Sequence, residues 1–292
     1  MDLLLQYAVN GLATGSLYAL VALGIVVLYR TARVLNFAHG DLAALGTLVA
    51  YTALTGVRLP FSLAAMTGLA GAAAVGALFY AGVVRHAREA APLSQSIMTM
   101  GLALLLGGLA AVGWGTDIKA MPFPLSATAV WRLGGLVVSQ LHAGATAVAA
   151  VLMAGLYLLV QHTRWGLLMR ALSENPVAAR LLGVRSDRIL AATWALSAAL
   201  GAAAGLLLAP ATLVDPFFML NPFLKGFAAA VMGGLDSPPG AVVGGVVLGV
   251  LESLLAGYVS VAFKSTLAFL LIVMVLMARP EGLLGREFQR RV

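Results

Sequence analysis

Apolar residues in this chain come in long blocks separated by short polar punctuation. A helix crossing about 30 Å of hydrocarbon needs about 20 mostly apolar residues at 1.5 Å each. Blocks at 6–28, 40–57, 60–84, 95–114, 140–160, 189–211, 240–258 and 263–279 read as spans by that ruler. A further block, 224–235, is too short to cross comfortably by itself. The blocks show little 3.6-residue amphipathicity, as expected of helices that meet lipid or other helices all round. Alternation with period two in pieces of about ten residues, the mark of a β-barrel, is absent. The pattern predicts an all-α integral membrane protein, a polytopic helical bundle of about eight spans with one short broken helix. It predicts a single transmembrane domain over 1–292, since the longest polar connections, 115–139 and 161–188, are too short to fold alone.

Composition narrows the class. Hydrophobic residues make up 61% of the chain and charged ones 10%, with a mean hydropathy of +0.99. A soluble domain has about 45–50% apolar and about 25% charged residues, so a soluble enzyme and a disordered chain are both excluded. Zero cysteines exclude disulfides, Cys-zinc sites, Fe–S clusters and thiol catalysis. The net charge of +7 reads as topology rather than as a nucleic-acid footprint.

If the N-terminus is outside and every block crosses, the inner segments hold Arg30, Arg33, Arg85, Arg88, Arg164, Arg170, Arg180, Arg185, Arg188, Arg279, Arg286, Arg290 and Arg291. The outer ones hold Arg58, Lys119, Arg132, Lys225 and Lys264. That division, 13 of the 18 basic residues inside, satisfies the positive-inside rule and puts the C-terminus inside as well. A block 224–235 that dips in and returns would send four C-terminal arginines outside. Arg30 and Arg33 follow the first span instead of preceding it, so the first span is expected to be retained rather than cleaved as a signal peptide.

The polar punctuation holds the candidate chemistry. In 161–188, Asn175 is a good N-cap, Pro176 suits the first helical position, and Gly183 can take the left-handed stop after Leu182. A short helix over about 176–182 follows, with Val177, Leu181 and Leu182 as its apolar side. Two readings stay open: a helix resting on lipid headgroups, or a knob that docks on a cytoplasmic partner. Asn36-Phe37-Ala38-His39-Gly40-Asp41 runs straight into a span. Asp41 is expected to cap a helix beginning at Leu42, in either an interfacial loop or a helix broken at depth. His39 and Asp41 lack a third ligand of suitable spacing, so no metal site is expected. The helix in Gly226–Gly240 must end at Gly233-Gly234, because Pro238 and Pro239 cannot continue it. Glu252, a carboxylate inside a span, should face the bundle, as a satisfied structural group or as part of a pathway. Gly11/Gly15, Gly201/Gly205, Gly240/Gly244 and Gly245/Gly249 stand four apart, a spacing that lets helix backbones approach closely. The tandem over 240–249 assigns its helix to an internal or subunit interface.

No G-x-x-x-x-G-K-[ST] P-loop occurs, nor H-E-x-x-H, G-x-S-x-G or Cys-x-x-Cys, so nothing in the sequence argues for catalysis. Two readings from other classes remain at this level. One is a stand-alone secondary transporter or channel in which His39, Asp41 or Glu252 carries protons or binds a cation. The other is a membrane scaffold recruiting a cytosolic protein through the short helix.

The chain resembles the permease subunits of branched-chain amino acid ABC importers, of the LivH type in the LivH/LivM family. The resemblance rests on Asn10-Gly11-Leu12 through Tyr18-Ala19-Leu20, on Asn36-Phe37-Ala38-His39-Gly40-Asp41, and on Ala171 through Gly183 with Ser186-Asp187-Arg188. It continues through Lys225–Gly234 and closes on Pro280-Glu281-Gly282-Leu283-Leu284-Gly285-Arg286. It implies an importer permease fold in a bacterial inner membrane, paired with a second, LivM-like permease or a second copy. It also implies two cytoplasmic ATPase subunits that bind the ATP, no cofactor in this chain, and an extracytoplasmic substrate-binding protein. Arg170, Glu174, Asn175, Pro176, Ala179, Arg180, Leu181, Leu182 and Gly183 resemble the loop that couples to the ATPase. Asn36, Phe37, His39, Gly40, Asp41, Phe227, Gly233, Gly234 and Glu252 are then candidates for the translocation path or gate. Importers of urea and short amides use very similar permeases and are the alternative substrate class.

Overall fold

The computed structural model describes residues 2–87, 92–126, 128–133, 135–259, 266, 270, 273–275, 277, 279 and 281–285. The elements in chain order are α1 (Asp2–Ala32), α2 (His39–Thr55), α3 (Phe61–Gly82), a 3-10 turn (Val84–Ala87), α4 (Pro92–Trp114), β1 (Val130–Leu133) and β2 (Leu136–Ser139). Then follow α5 (Gln140–His162), α6 (Arg164–Glu174), α7 (Pro176–Leu181), α8 (Ser186–Thr212), α9 (Leu220–Gly233) and α10 (Pro238–Tyr258). Among the described residues six helices, α1, α3, α4, α5, α8 and α10, are long and apolar enough to cross a membrane. At 17 residues α2 is about 25 Å long, and α9, with 14, is shorter still. The expected span 263–279 lies mostly outside the described residues, as do Arg88, Lys264, Pro280, Arg286, Arg290 and Arg291.

The chain folds as two compact units, each assembled from separate stretches. In the first (Met1–Val26, Leu125–Val151 and Leu224–Val292), glycine sets the helix spacing. A Cβ on Gly15 would lie 2.9 Å from the Gly245 carbonyl oxygen, and one on Gly249 would collide with the backbone of Gly15. On its other side α10 meets α9, where Gly244 abuts the Ala229 carbonyl and Gly240 abuts Gly233. The expected tandem is therefore internal, with both of its glycine faces covered by helices of this chain. β1 and β2 form an antiparallel hairpin in the 115–139 connection, where no secondary structure was expected. Gln6 holds it in strand fashion: its Nε2 donates to the Val137 carbonyl and its Oε1 accepts from the Val137 N–H, both at 2.8 Å.

The second unit comprises Val27–Pro124 and Leu152–Phe223. Its core includes a cluster of Leu28, Val34, Tyr80, Val84 and Trp194 and another of Leu42, Ala72, Leu106, Ala198 and Ala202. Small residues let α2, α3 and α8 approach one another: Gly46 meets Gly68 and Ala202, Gly76 meets the Trp194 carbonyl, and Gly205 meets Thr47 and Ala43.

Candidate functional site

The segment joining α5 to α8 is built from backbone economy. Thr163 caps α6 by accepting from the Gly166 N–H at 3.2 Å. Gly166 has no room for a Cβ, which would strike the Val160 carbonyl, so the chain reverses in a corner only glycine fits. Arg170 pins that corner, its Nη1 donating to Gln161 Oε1 at 2.7 Å. Asn175 then ends α6 and caps α7, its Oδ1 accepting from the N–H groups of Val177 at 3.1 Å and Ala178 at 2.9 Å. Pro176 takes the first turn, and Gly183 follows at φ +84°, a conformation that costs other residues strain. Ala179 is buried while Leu181 and Leu182 are 84% and 85% exposed. Glu174, Asn175, Pro176, Arg180 and Gly183 are exposed too, so α7 presents a bare apolar tip. Sequence reading found α7 and passed over α6, whose cue was the cap at Thr163.

The second candidate cluster lies in the turn between α1 and α2. Arg33 at φ 56° breaks α1. Asn36 is buried, and its Oδ1 accepts from the Ala38 N–H at 3.0 Å. The Phe37 N–H donates to Thr99 Oγ1 at 2.9 Å, and Thr99 Oγ1 donates in turn to the Ser96 carbonyl at 2.6 Å. The expectation that Asp41 caps a helix starting at Leu42 is corrected: α2 already starts at His39 and makes no side-chain cap bond. Asn36 and Thr99 tie down the preceding turn, which leaves Asp41 inside the first turn of the helix, partly buried. His39 is fully buried, with Nδ1 3.4 Å from Ser197 Oγ and its ring 6.5 Å from that of Phe223. Its Nε2 faces the bare Cα of Gly201 and, among the described residues, has no hydrogen-bond partner. Gly40 admits Phe223, since a Cβ there would lie 2.9 Å from the Phe223 Cβ. Among the described residues no group of three His, Cys, Asp or Glu side chains could hold a metal ion.

The third cluster belongs to the first unit. α9 stops at Gly233, and Gly234 follows at φ +105°. The carbonyls this end would leave orphaned are met by backbone donors from the 281–285 segment: Leu283 N–H to Met232 at 2.8 Å and Leu284 N–H to Gly233 at 3.1 Å. Phe227 is partly buried on the same helix. Glu252, 1% exposed, forms an ion pair with Lys225, whose ammonium also donates to Tyr18 Oη at 3.2 Å. Lys225 was expected among the outer basic residues. It sits within α9 with its side chain 12% exposed, where it is the structural partner of Glu252. A lone lysine inside an otherwise apolar helix was the available signal.

These features define a multi-pass, mostly helical membrane protein with two polar clusters at helix breaks and a buried ion pair between helices. The model of the family described as branched-chain amino acid transport system / permease component matches residues 7–278, and the chain belongs to that family. The high-affinity branched-chain amino acid transport system permease protein LivH of Escherichia coli is 31% identical over 99% of this chain and 97% of its own length. BraD of Pseudomonas aeruginosa, which carries the same description, is 33% identical over 99% and 98%. A probable LivH permease of Methanocaldococcus jannaschii is 30% identical over 94% and 90%.

Proposed function

We propose that this chain is the membrane-spanning permease subunit of an ATP-binding-cassette importer for branched-chain or related hydrophobic amino acids. The end-to-end similarity to permeases named for these amino acids carries the reading and favours them over urea and short amides. The chain has no P-loop of its own, so ATP is bound and hydrolysed by two separate cytoplasmic subunits. An extracytoplasmic protein delivers the substrate, and a second permease, LivM-like or a copy of this chain, completes the pore. The protein lies in a bacterial inner membrane with its N-terminus outside and its C-terminus inside.

In this reading α7 is the element seated on the ATPase. Its tip is apolar and exposed, and its ends are fixed by Asn175 and Gly183, so it moves as a rigid lever with the helices it joins. The 33–41 turn and the end of α9 line or gate the path. Substituting Arg180→Glu with Leu181→Glu tests the reading. The variant should insert and accumulate normally, lose co-purifying ATPase, and take up no labelled leucine. ATPase retained at the wild-type level would refute the seating of α7, and uptake of urea in place of leucine would refute the substrate class.

A further inference from the structure

At the ends of two spanning helices in the second unit, an open cleft of about 450 Å³ gathers four arginines: Arg85, just past α3, Arg180 on α7, and Arg185 and Arg188 at the start of α8. Among the described residues one acid lines it, Asp187, held by the Tyr80 hydroxyl at 3.4 Å and by Arg85 Nε at 3.4 Å. The Arg180 Nε donates to Ser186 Oγ at 3.3 Å, which fixes the direction of that guanidinium. Among the described residues no carboxylate pairs with Arg180, Arg185 or Arg188. Among the described residues four guanidinium groups face one carboxylate, which makes the hollow cationic.

We propose that this cleft binds the phosphodiester headgroup of an anionic membrane phospholipid. Guanidinium forks match phosphate oxygens in a bidentate way, and clustered arginines are better suited to such an anion than to a lone carboxylate. The position selects a lipid over free phosphate. Leu78 and Val83, 69% and 42% exposed, stand seven and two residues before Arg85 in the chain, and α3, which leads to Arg85, is long and apolar enough to span a bilayer, so the cleft lies at the end of a spanning helix. A lipid held in the bilayer by its chains presents its phosphate at high effective concentration, which a soluble ion does not. The lipid would brace α3 against α8 beside α7 without touching the apolar tip. The cleft shares Arg180 with the proposed seat of α7, so Arg180 is left intact in its test.

The experiment is native mass spectrometry of the full chain in detergent, titrated with phosphatidylglycerol, phosphatidylcholine or inorganic phosphate, for the wild type and the Arg185→Gln/Arg188→Gln variant. The wild type should retain phosphatidylglycerol over phosphatidylcholine. The variant should retain it roughly thirtyfold less tightly, since each basic residue near an anionic surface contributes about a factor of five. Equal retention of the two lipids by the wild type would overturn the proposal without need of any variant. Displacement by millimolar inorganic phosphate would assign the cleft to a free anion and overturn it as well. A variant that keeps phosphatidylglycerol as tightly as the wild type would take the arginines out of the site, with the same consequence.

Discussion

Lys225 and Glu252 form a buried ion pair between α9 and α10, and Tyr18 of α1 joins it through the lysine, which lies 5.4 Å from the centre of the tyrosine ring. Three helices of the first unit thus share one charged knot in an apolar setting. Removing one partner of such a pair strands the other charge, at a cost of about 3–5 kcal/mol, whereas replacing both by apolar groups is often neutral. Lys225→Met and Glu252→Leu should each lower the melting midpoint of the detergent-solubilised protein sharply, and the double variant should recover most of the loss. Single variants that melt with the wild type would mean the pair holds nothing together.

The glycine contacts make a graded prediction. At Gly249 a side chain would meet the backbone of α1, and backbone cannot swing aside. Gly249→Val should cost more than the about 1–3 kcal/mol of ordinary overpacking and reduce the yield of folded protein. Gly101 and Gly155 have open space where a Cβ would point. Gly→Ala at either should leave the melting midpoint unchanged or raise it, since alanine in a helix is about 0.5–1 kcal/mol better than glycine. Size-exclusion profiles and melting curves of the three variants check the order.

Local grammar was legible wherever a few adjacent residues decide the outcome. Asn175, Pro176 and Gly183 bounded α7 to within a residue, and Gly233-Gly234 ended α9, because capping and left-handed stops are short-range chemistry. Long-range pairing was not legible. Lys225 looks like a loop cation until Glu252 is seen beside it, and a count of basic residues contains no term for a partner 27 positions away. Asp41 has the right chemistry for a cap, but the start of α2 was decided by Asn36 and by Thr99, 62 residues from Phe37. The hairpin had a local signal that went unused: Gly134-Gly135 between Val130-Trp131-Arg132-Leu133 and Leu136-Val137-Val138-Ser139.

Six residues make a marginal helix, so α7 depends on its cap. Asn175→Ala should cost about 1 kcal/mol, through the two N–H groups its side chain now satisfies. Membrane insertion and overall melting should barely change, while leucine uptake and ATPase co-purification fall together. Asn175→Asp or Asn175→Ser should restore both, because each keeps an acceptor at the cap. A loss that Asp and Ser fail to repair would assign Asn175 to direct contact with the partner rather than to capping.

The turn between α1 and α2 offers a last separation of architecture from transport. Thr99 accepts from Phe37 and donates to Ser96, so one hydroxyl on α4 fixes the backbone just ahead of His39 and Asp41. Thr99→Val keeps the shape and removes the hydroxyl, leaving the partly buried Phe37 N–H without that acceptor, at a cost of about 1 kcal/mol. Thr99→Ser keeps the bond. If the 33–41 turn is part of the moving path, Thr99→Val should alter uptake by much more than it alters melting, and Thr99→Ser should behave as wild type. The ratio of the two effects is the diagnostic. A turn that serves only as scaffold would lose stability and uptake in proportion, whereas a gate would lose uptake in a protein that still melts close to the wild-type midpoint. Leucine uptake into proteoliposomes carrying the assembled transporter, set beside melting curves of the same preparations, measures both quantities on one sample.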